Sequence, residues 1–260
     1  MISWATKRKI IYFSGLTFLT FLFVFIPLFF YYKQPPTCTD GKRNGDELGP
    51  DCGGICPELC VEQMGDLLIH WSRAFKVSDG VYDVVALLEN PNEEAGLSEL
   101  IYKFKLYDGE NILVEERFGK TFVNPKERFV VFESGIQTGE RIPKRVFAEL
   151  FKEYKWMKPE VDSQDIPDIQ VRNQRMENLD VKPRLRASIE NKSPFTAYDI
   201  ELTAILFDKD DNAMAVSSTF IDKLSQYESK DISFTWREPF LTFPVKIDII
   251  PRIDLFEMRD

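Results

Sequence analysis

Histidine is nearly missing from this chain: His70 is the only one in 260 residues. That removes most histidine general-base, Ser-His-Asp and histidine-rich metal schemes. A basic excess is missing as well. Lys and Arg number 33 against 42 Asp and Glu, a formal net charge of -9, so nucleic acid is not an expected partner. No G-x-G-x-x-G, P-loop, G-x-S-x-G or S-x-x-K motif occurs. Carboxylates are plentiful, and a glycosidase pair needs just two of them brought together in space. Runs such as Glu93-Glu94, Glu115-Glu116 and Asp208, Asp210, Asp211 read instead as solvated turns. No cofactor is expected. A hydrophobic content of 44% with 29% charged residues is that of a folded chain.

Charge is also absent from residues 10–32, which follow Lys7-Arg8-Lys9. At 1.5 Å per residue this run gives roughly 34 Å of helix, enough for a hydrocarbon core of about 30 Å. Pro27 inside it is tolerated better in membrane helices than in soluble ones. Tyr31, Tyr32 and Lys33 mark one interfacial end, Trp4 and Tyr12 the other. The basic cluster precedes the span, so the expectation is a single-pass signal anchor contacting membrane lipid, with residues 1–9 cytoplasmic and the remainder extracytoplasmic. The run exceeds a signal-peptide core, no small-x-small site follows it, and Pro36-Thr37 before Cys38 is not a lipoprotein box.

No cysteine lies beyond Cys60. Cys38, Cys52, Cys56 and Cys60 crowd into one Gly-, Asp- and Pro-rich stretch with too little apolar surface for a core. In an oxidising compartment two disulfides are expected, and three pairings remain open. The rival is a four-cysteine zinc site, although the first gap is long for one. Asp40, Asn44, Asp46, Glu47 and Asp51 are candidate calcium ligands; their spacing does not fit an EF-hand, and acidic residues capping tight bends is the primary reading.

Beyond the cysteines, short runs rich in Val, Ile, Phe, Tyr and Thr alternate with turn signals. The pattern repeats about one hundred residues later. Glu89-Asn90 corresponds to Glu190-Asn191, and 104–108 to 204–208. Asn111-Ile112-Leu113-Val114 aligns with Asn212-Ala213-Met214-Ala215, and 129–132 with 231–234. A repeat of this length means two domains, not a solenoid. The fold class expected is all-β: two tandem immunoglobulin- or fibronectin-like sandwiches behind one transmembrane helix and a small disulfide-rich module. The boundaries are 1–9 tail, 10–32 helix, 33–64 module, 65–156 first sandwich, 157–168 linker and 169–260 second sandwich. Residues 141–154 read as a short helix or a closing strand. Trp156, Trp236 and Phe240 either form a partner patch or close a core.

Two short motifs carry resemblances. Cys38, Asp40, Gly41, Asn44, Glu47, Asp51, Cys52, Gly53, Gly54 and Cys56 resemble a C-x-D-G-x-x-N-x-x-E…D-C-G-G-x-C module of bacterial surface proteins, which implies a surface location and no chemistry. Phe104-Lys105-Leu106-Tyr107-Asp108 resembles the signature of FxLYD domains, small extracytoplasmic β-sandwiches of bacterial envelope proteins with no shared enzymatic activity. In the second copy Ala204 and Phe207 depart from it while Leu206 and Asp208 keep it. In the first copy, strand alternation puts Tyr102, Phe104 and Leu106 on one face and Lys103, Lys105 and Tyr107 on the other, with Asp108 starting the turn.

The function expected is therefore non-enzymatic: an anchored structural or binding protein of the bacterial envelope, presenting two domains to an unknown protein or glycan. The alternatives are a carbohydrate-active enzyme with a carboxylate pair between the domains, and the ectodomain of a sensory complex. A tail of residues 1–9 is too short to carry a signalling domain of its own.

Overall fold

A computed structural model describes residues 3–32, 36–151, 154–161, 164–240 and 242–257. Lys33, expected at the interface, and parts of the tail, of the 141–154 segment and of the expected linker lie outside these. The chain divides into two compact units, 1–56 and 57–260.

In the first unit, helix α1 (Trp4–Thr20) runs through a π-helical turn (Phe21–Phe25) into α2 (Ile26–Tyr32). Pro27 explains the widened turn. It has no N–H to return to the carbonyl four residues back, and its ring crowds that carbonyl. The Ile26 amide bonds the Phe21 carbonyl instead. Trp4–Tyr31 is long and apolar enough to cross a membrane, a property it shares with signal sequences. Helix begins before the basic cluster, so Lys7, Arg8 and Lys9 lie on its first turns.

The regular structure of the second unit is almost wholly strand. In chain order these are β1 (Leu68–Ser78), β2 (Val81–Glu89), β3 (Leu97–Tyr107), β4 (Leu113–Val123), β5 (Arg128–Gln137), β6 (Arg145–Leu150), β7 (Ile169–Glu177), β8 (Arg184–Asn191), β9 (Ala197–Phe207), β10 (Ala213–Leu224), β11 (Ser229–Thr235) and β12 (Lys246–Arg252). They form four three-stranded antiparallel sheets, ordered β1-β2-β5, β4-β3-β6, β7-β8-β11 and β10-β9-β12. The second pair of sheets repeats the order of the first. Residues 145–150 settle as strand and pair with β3.

Register corrects the repeat alignment in two places. Lys230 opposes Ile189 as Phe129 opposes Leu88, so 129–132 matches 230–233, one residue earlier than the sequence alignment. Asn111 matches Asp211, both left-handed with φ of 66° and 57°, and not Asn212. A one-residue slip exchanges the two faces of a strand, so the register decides which side chains of each copy point inward.

Three apolar clusters lie between successive sheets. The first joins β1-β2-β5 to β4-β3-β6 through Val84, Ala86, Leu88, Phe104, Leu106 and Phe129, and Trp156 closes it. The second joins β7-β8-β11 to β10-β9-β12 through Leu185, Ile189, Leu202, Leu206 and Phe234; Trp236 and Phe240, edge to face with each other, pack against it. The third lies between the two halves: Val85, Leu87 and Val130 meet Ile205, Phe207, Ala213 and Val216. The sheets therefore stack as four layers, with β1-β2-β5 and β10-β9-β12 in the middle.

The duplicated positions show why these two faces meet. Where Val85, Leu87, Val130 and Phe132 face the interlayer, the second copy has Arg186, Ser188, Asp231 and Ser233 facing outward. Where Ile205, Val216 and Ile250 face it, the first copy has Lys105, Glu116 and Glu149. At these seven positions the side chains facing the interlayer are apolar and their outer counterparts are polar, as burial without a hydrogen-bonding partner requires.

Candidate functional site

The cysteine module shows what its signature residues do. Cys38 and Cys56 form a disulfide with Cα atoms 5.6 Å apart, and Cys52 and Cys60 are disulfide-bonded as well. Among the described residues no cysteine is free. Asp51 accepts the amides of Asp40 and Gly41 at 2.8 and 2.7 Å; Asp40 accepts from the Lys42 amide and the Asn44 side chain; Glu47 accepts from the Asn44 amide. The Asp40, Glu47 and Asp51 carboxylates thus cap turns, Asn44 Oδ1 is buried with no hydrogen-bond partner among the described residues, and Asp46 is exposed outside this network. Gly53 and Gly54 both adopt positive φ, 70° and 63°, and a Cβ on Gly54 would fall 1.7 Å from the Asp46 carbonyl oxygen. Glycine is the residue that fits there. The convergent group among the described residues is Cys38, Glu47 and Cys56, and disulfide sulfurs carry no thiolate to ligate a metal.

The strand motif sits at the centre of the first core. Phe104 and Leu106 are fully buried, Tyr102 bonds Glu133 at 3.0 Å, and Tyr107 stacks edge to face with Phe147 on the outer surface. Asp108 Oδ1 accepts the amides of Glu110 and Ile112, both at 2.9 Å, and Oδ2 pairs with Arg141. Asp208 repeats the turn with the amides of Asp210 and Asn212. Leu206 is buried in the second core, but Phe207 turns the other way, into the interlayer. The amide bonds, Ile112 first and Asn212 first respectively, hold both aspartates below the usual carboxylate range. His70 pairs with Glu89 at 2.8 Å on an exposed edge.

Sequence reasoning missed Arg252. It lies at the end of β12 and reaches into the first half, its side chain 2% exposed. It bonds Glu127 at 2.8 Å and Glu201 at 3.2 Å, donates to Thr121 Oγ1 and the Phe122 carbonyl, and stacks on the Phe122 and Phe129 rings. Arg73 and Asn124 add further bonds between the halves, to Ala213 and Ile253. Glu127 and Glu201 thus share one guanidinium between the halves, a clamp that offsets one of their two negative charges. Burial still raises the Glu201 carboxyl, and that of Asp254, above the ordinary value.

These signs set the response to acid. Asp108 and Asp208, with depressed folded values, contribute stability above about pH 4 that is lost as pH falls through their folded values. Glu201 and Asp254, raised by burial, are relieved by protonation. The expected thermal midpoint is level or slightly rising from pH 7 to about 5 and falls steeply below about 4, the fall being smaller in Asp208→Asn. A midpoint that declines steadily from pH 7 contradicts this.

Among the described residues of this unit, two faces of the stack are uncovered. On β4-β3-β6 the outer side chains are Ile101, Phe118, Phe147 and Phe151 among a Lys103, Lys105, Glu116 and Glu149 ion-pair ladder, with Phe118 57% exposed. On β7-β8-β11 they are Arg172, Arg175, Arg184 and Arg186 with Ser188, Asp231 and Ser233, and all of these but Arg172 line a depression of about 720 Å³. No protein-family model matches the chain, and no curated protein does either. The arrangement offers hydrogen-bonding and aromatic surface.

Proposed function

We propose that this chain is a non-enzymatic, membrane-anchored structural or binding protein of a bacterial cell envelope. In this reading its N-terminus is cytoplasmic, and two immunoglobulin- or fibronectin-like sandwiches of FxLYD type stand outside the membrane behind a disulfide module, facing a protein or glycan partner. The observation that carries it is the succession of an apolar helix long enough to span a membrane and a turn-rich segment whose four cysteines are all oxidised. Disulfides persist outside the reducing cytoplasm, which supports the placement of everything after the helix. The two bare sheet faces support a binding role over a purely spacing one, since an aromatic row at 40–57% exposure is unusual on a face with no partner.

Topology is the part to test. In intact cells expressing the full chain, an added protease is expected to remove the domains while a cytoplasmic marker survives. Full protection until the membrane is permeabilised overturns the reading.

A further inference from the structure

The arginine face on β7-β8-β11 has features that solubility alone does not require. Arg175 stands directly opposite Arg186 across the β7–β8 ladder, and like charges in that position are destabilising. Glu177 offsets the pair by binding both guanidinium groups. That leaves Arg184, which opposes Glu177 in register, with no ion pair or side-chain hydrogen bond among the described residues. Arg172 and Arg175 lie on the sheet edge, where charge and irregularity block unwanted strand pairing. Arg184 and Arg186 lie on the central strand β8, where no edge needs protecting. The other outer face reaches solubility differently, with Lys103 and Lys105 matched to Glu116 and Glu149.

The face is also hollow. Register breaks in β7 between Arg172 and Arg175, and Asn173 adopts φ 55°. A bulge of this kind bends the strand and re-aims its side chains. Asn173 bonds the buried Ser188 hydroxyl at 2.9 Å. The resulting depression is lined by Asn173, Gln174, Arg175, Arg184, Arg186 and Asp231, among others. Guanidinium forks match planar or tetrahedral oxyanions, while Asn173, Gln174 and Asp231 can meet hydroxyl groups. Asp231 argues against a bare small anion and for a ligand that brings hydroxyls with it.

We infer that this depression binds an acidic glycan, its uronate carboxylate or phosphodiester seated between Arg184 and Arg186 and its hydroxyls on Asn173, Gln174 and Asp231. The inference rests on the reading of the chain as a binding protein, and it names the ligand class.

The test uses the full-length protein in neutral detergent, titrated calorimetrically with four probes: a hexameric polygalacturonate, a short poly(glycerol phosphate), maltohexaose and inorganic phosphate. One or both acidic polymers are expected to bind, more weakly as salt rises, and the stronger of the two identifies the acid group. Maltohexaose and phosphate are expected to bind at least about tenfold more weakly. Arg184→Gln/Arg186→Gln is expected to lose at least about tenfold in affinity, with an unchanged or higher thermal midpoint because a like-charge pair is relieved. Arg172→Gln, at the edge, is the second variant and is expected to weaken binding less. Binding that survives the double substitution, or no binding by either acidic polymer at low salt, overturns the proposal. Purified protein reports this whichever side of the membrane the domains occupy, so a failed topology experiment and a failed titration are distinguishable.

Discussion

Replacing Arg252 by alanine is expected to destabilise the folded chain by about 3–5 kcal/mol, because it leaves the Glu127 carboxylate buried between the halves without its counter-charge. The guanidinium meets both Glu127 oxygens, at 2.8 and 3.3 Å, and no other cation approaches that carboxylate among the described ion pairs. Its stacking on Phe122 and Phe129 is lost at the same time. Adding Glu127→Gln to Arg252→Ala should recover part of the loss, since a neutral amide costs less to bury than an unpaired charge. Urea denaturation of the two single variants and the double variant measures the coupling. If the single losses simply add, the clamp is not the unit described.

Ile205→Lys is the second large effect. It installs at the interlayer the residue type that the first copy carries at the matching outward position, Lys105. Ile205 is fully buried among Val85, Leu87 and Val216, and an ammonium there has no carboxylate facing it from this cluster. A loss on the order of 3–5 kcal/mol is expected, either as lower global stability or as separation into two transitions when the halves unstack. The reciprocal change, Lys105→Ile on the bare face, should leave stability within about 0.5 kcal/mol, because that site is solvated. Equal effects of the two substitutions contradict the four-layer order.

Both predictions turn on the contact between the halves, and that contact was partly legible. Phe104-Lys105-Leu106-Tyr107 alternates, as a strand with one wet face does; Ala204-Ile205-Leu206-Phe207 does not. Likewise Val84-Val85-Ala86-Leu87-Leu88 is continuously apolar where Leu185-Arg186-Ala187-Ser188-Ile189 alternates. Unbroken apolar runs mark strands buried on both faces. The departure of Ala204 and Phe207 from the first copy's motif, read in sequence as a weaker resemblance, is in part this signal: Phe207 turns into the interlayer. Arg252 carried no comparable signal, because its partners lie 51 to 131 residues away and are ordinary surface types when read alone.

By itself the sequence determined what depends on neighbours along the chain. An uncharged run long enough to span a membrane, the oxidised cysteine cluster, the Asp108 and Asp208 turns and the alternation of β3 all follow from local chemistry and spacing. The one-residue register of the repeat, the burial of Trp156 and the gathering of four arginines around a bulge were decided by tertiary structure. Each of these joins residues from separate strands, and strand order and sheet stacking are set by which apolar faces find one another, a choice made across the whole chain and not within any segment of it.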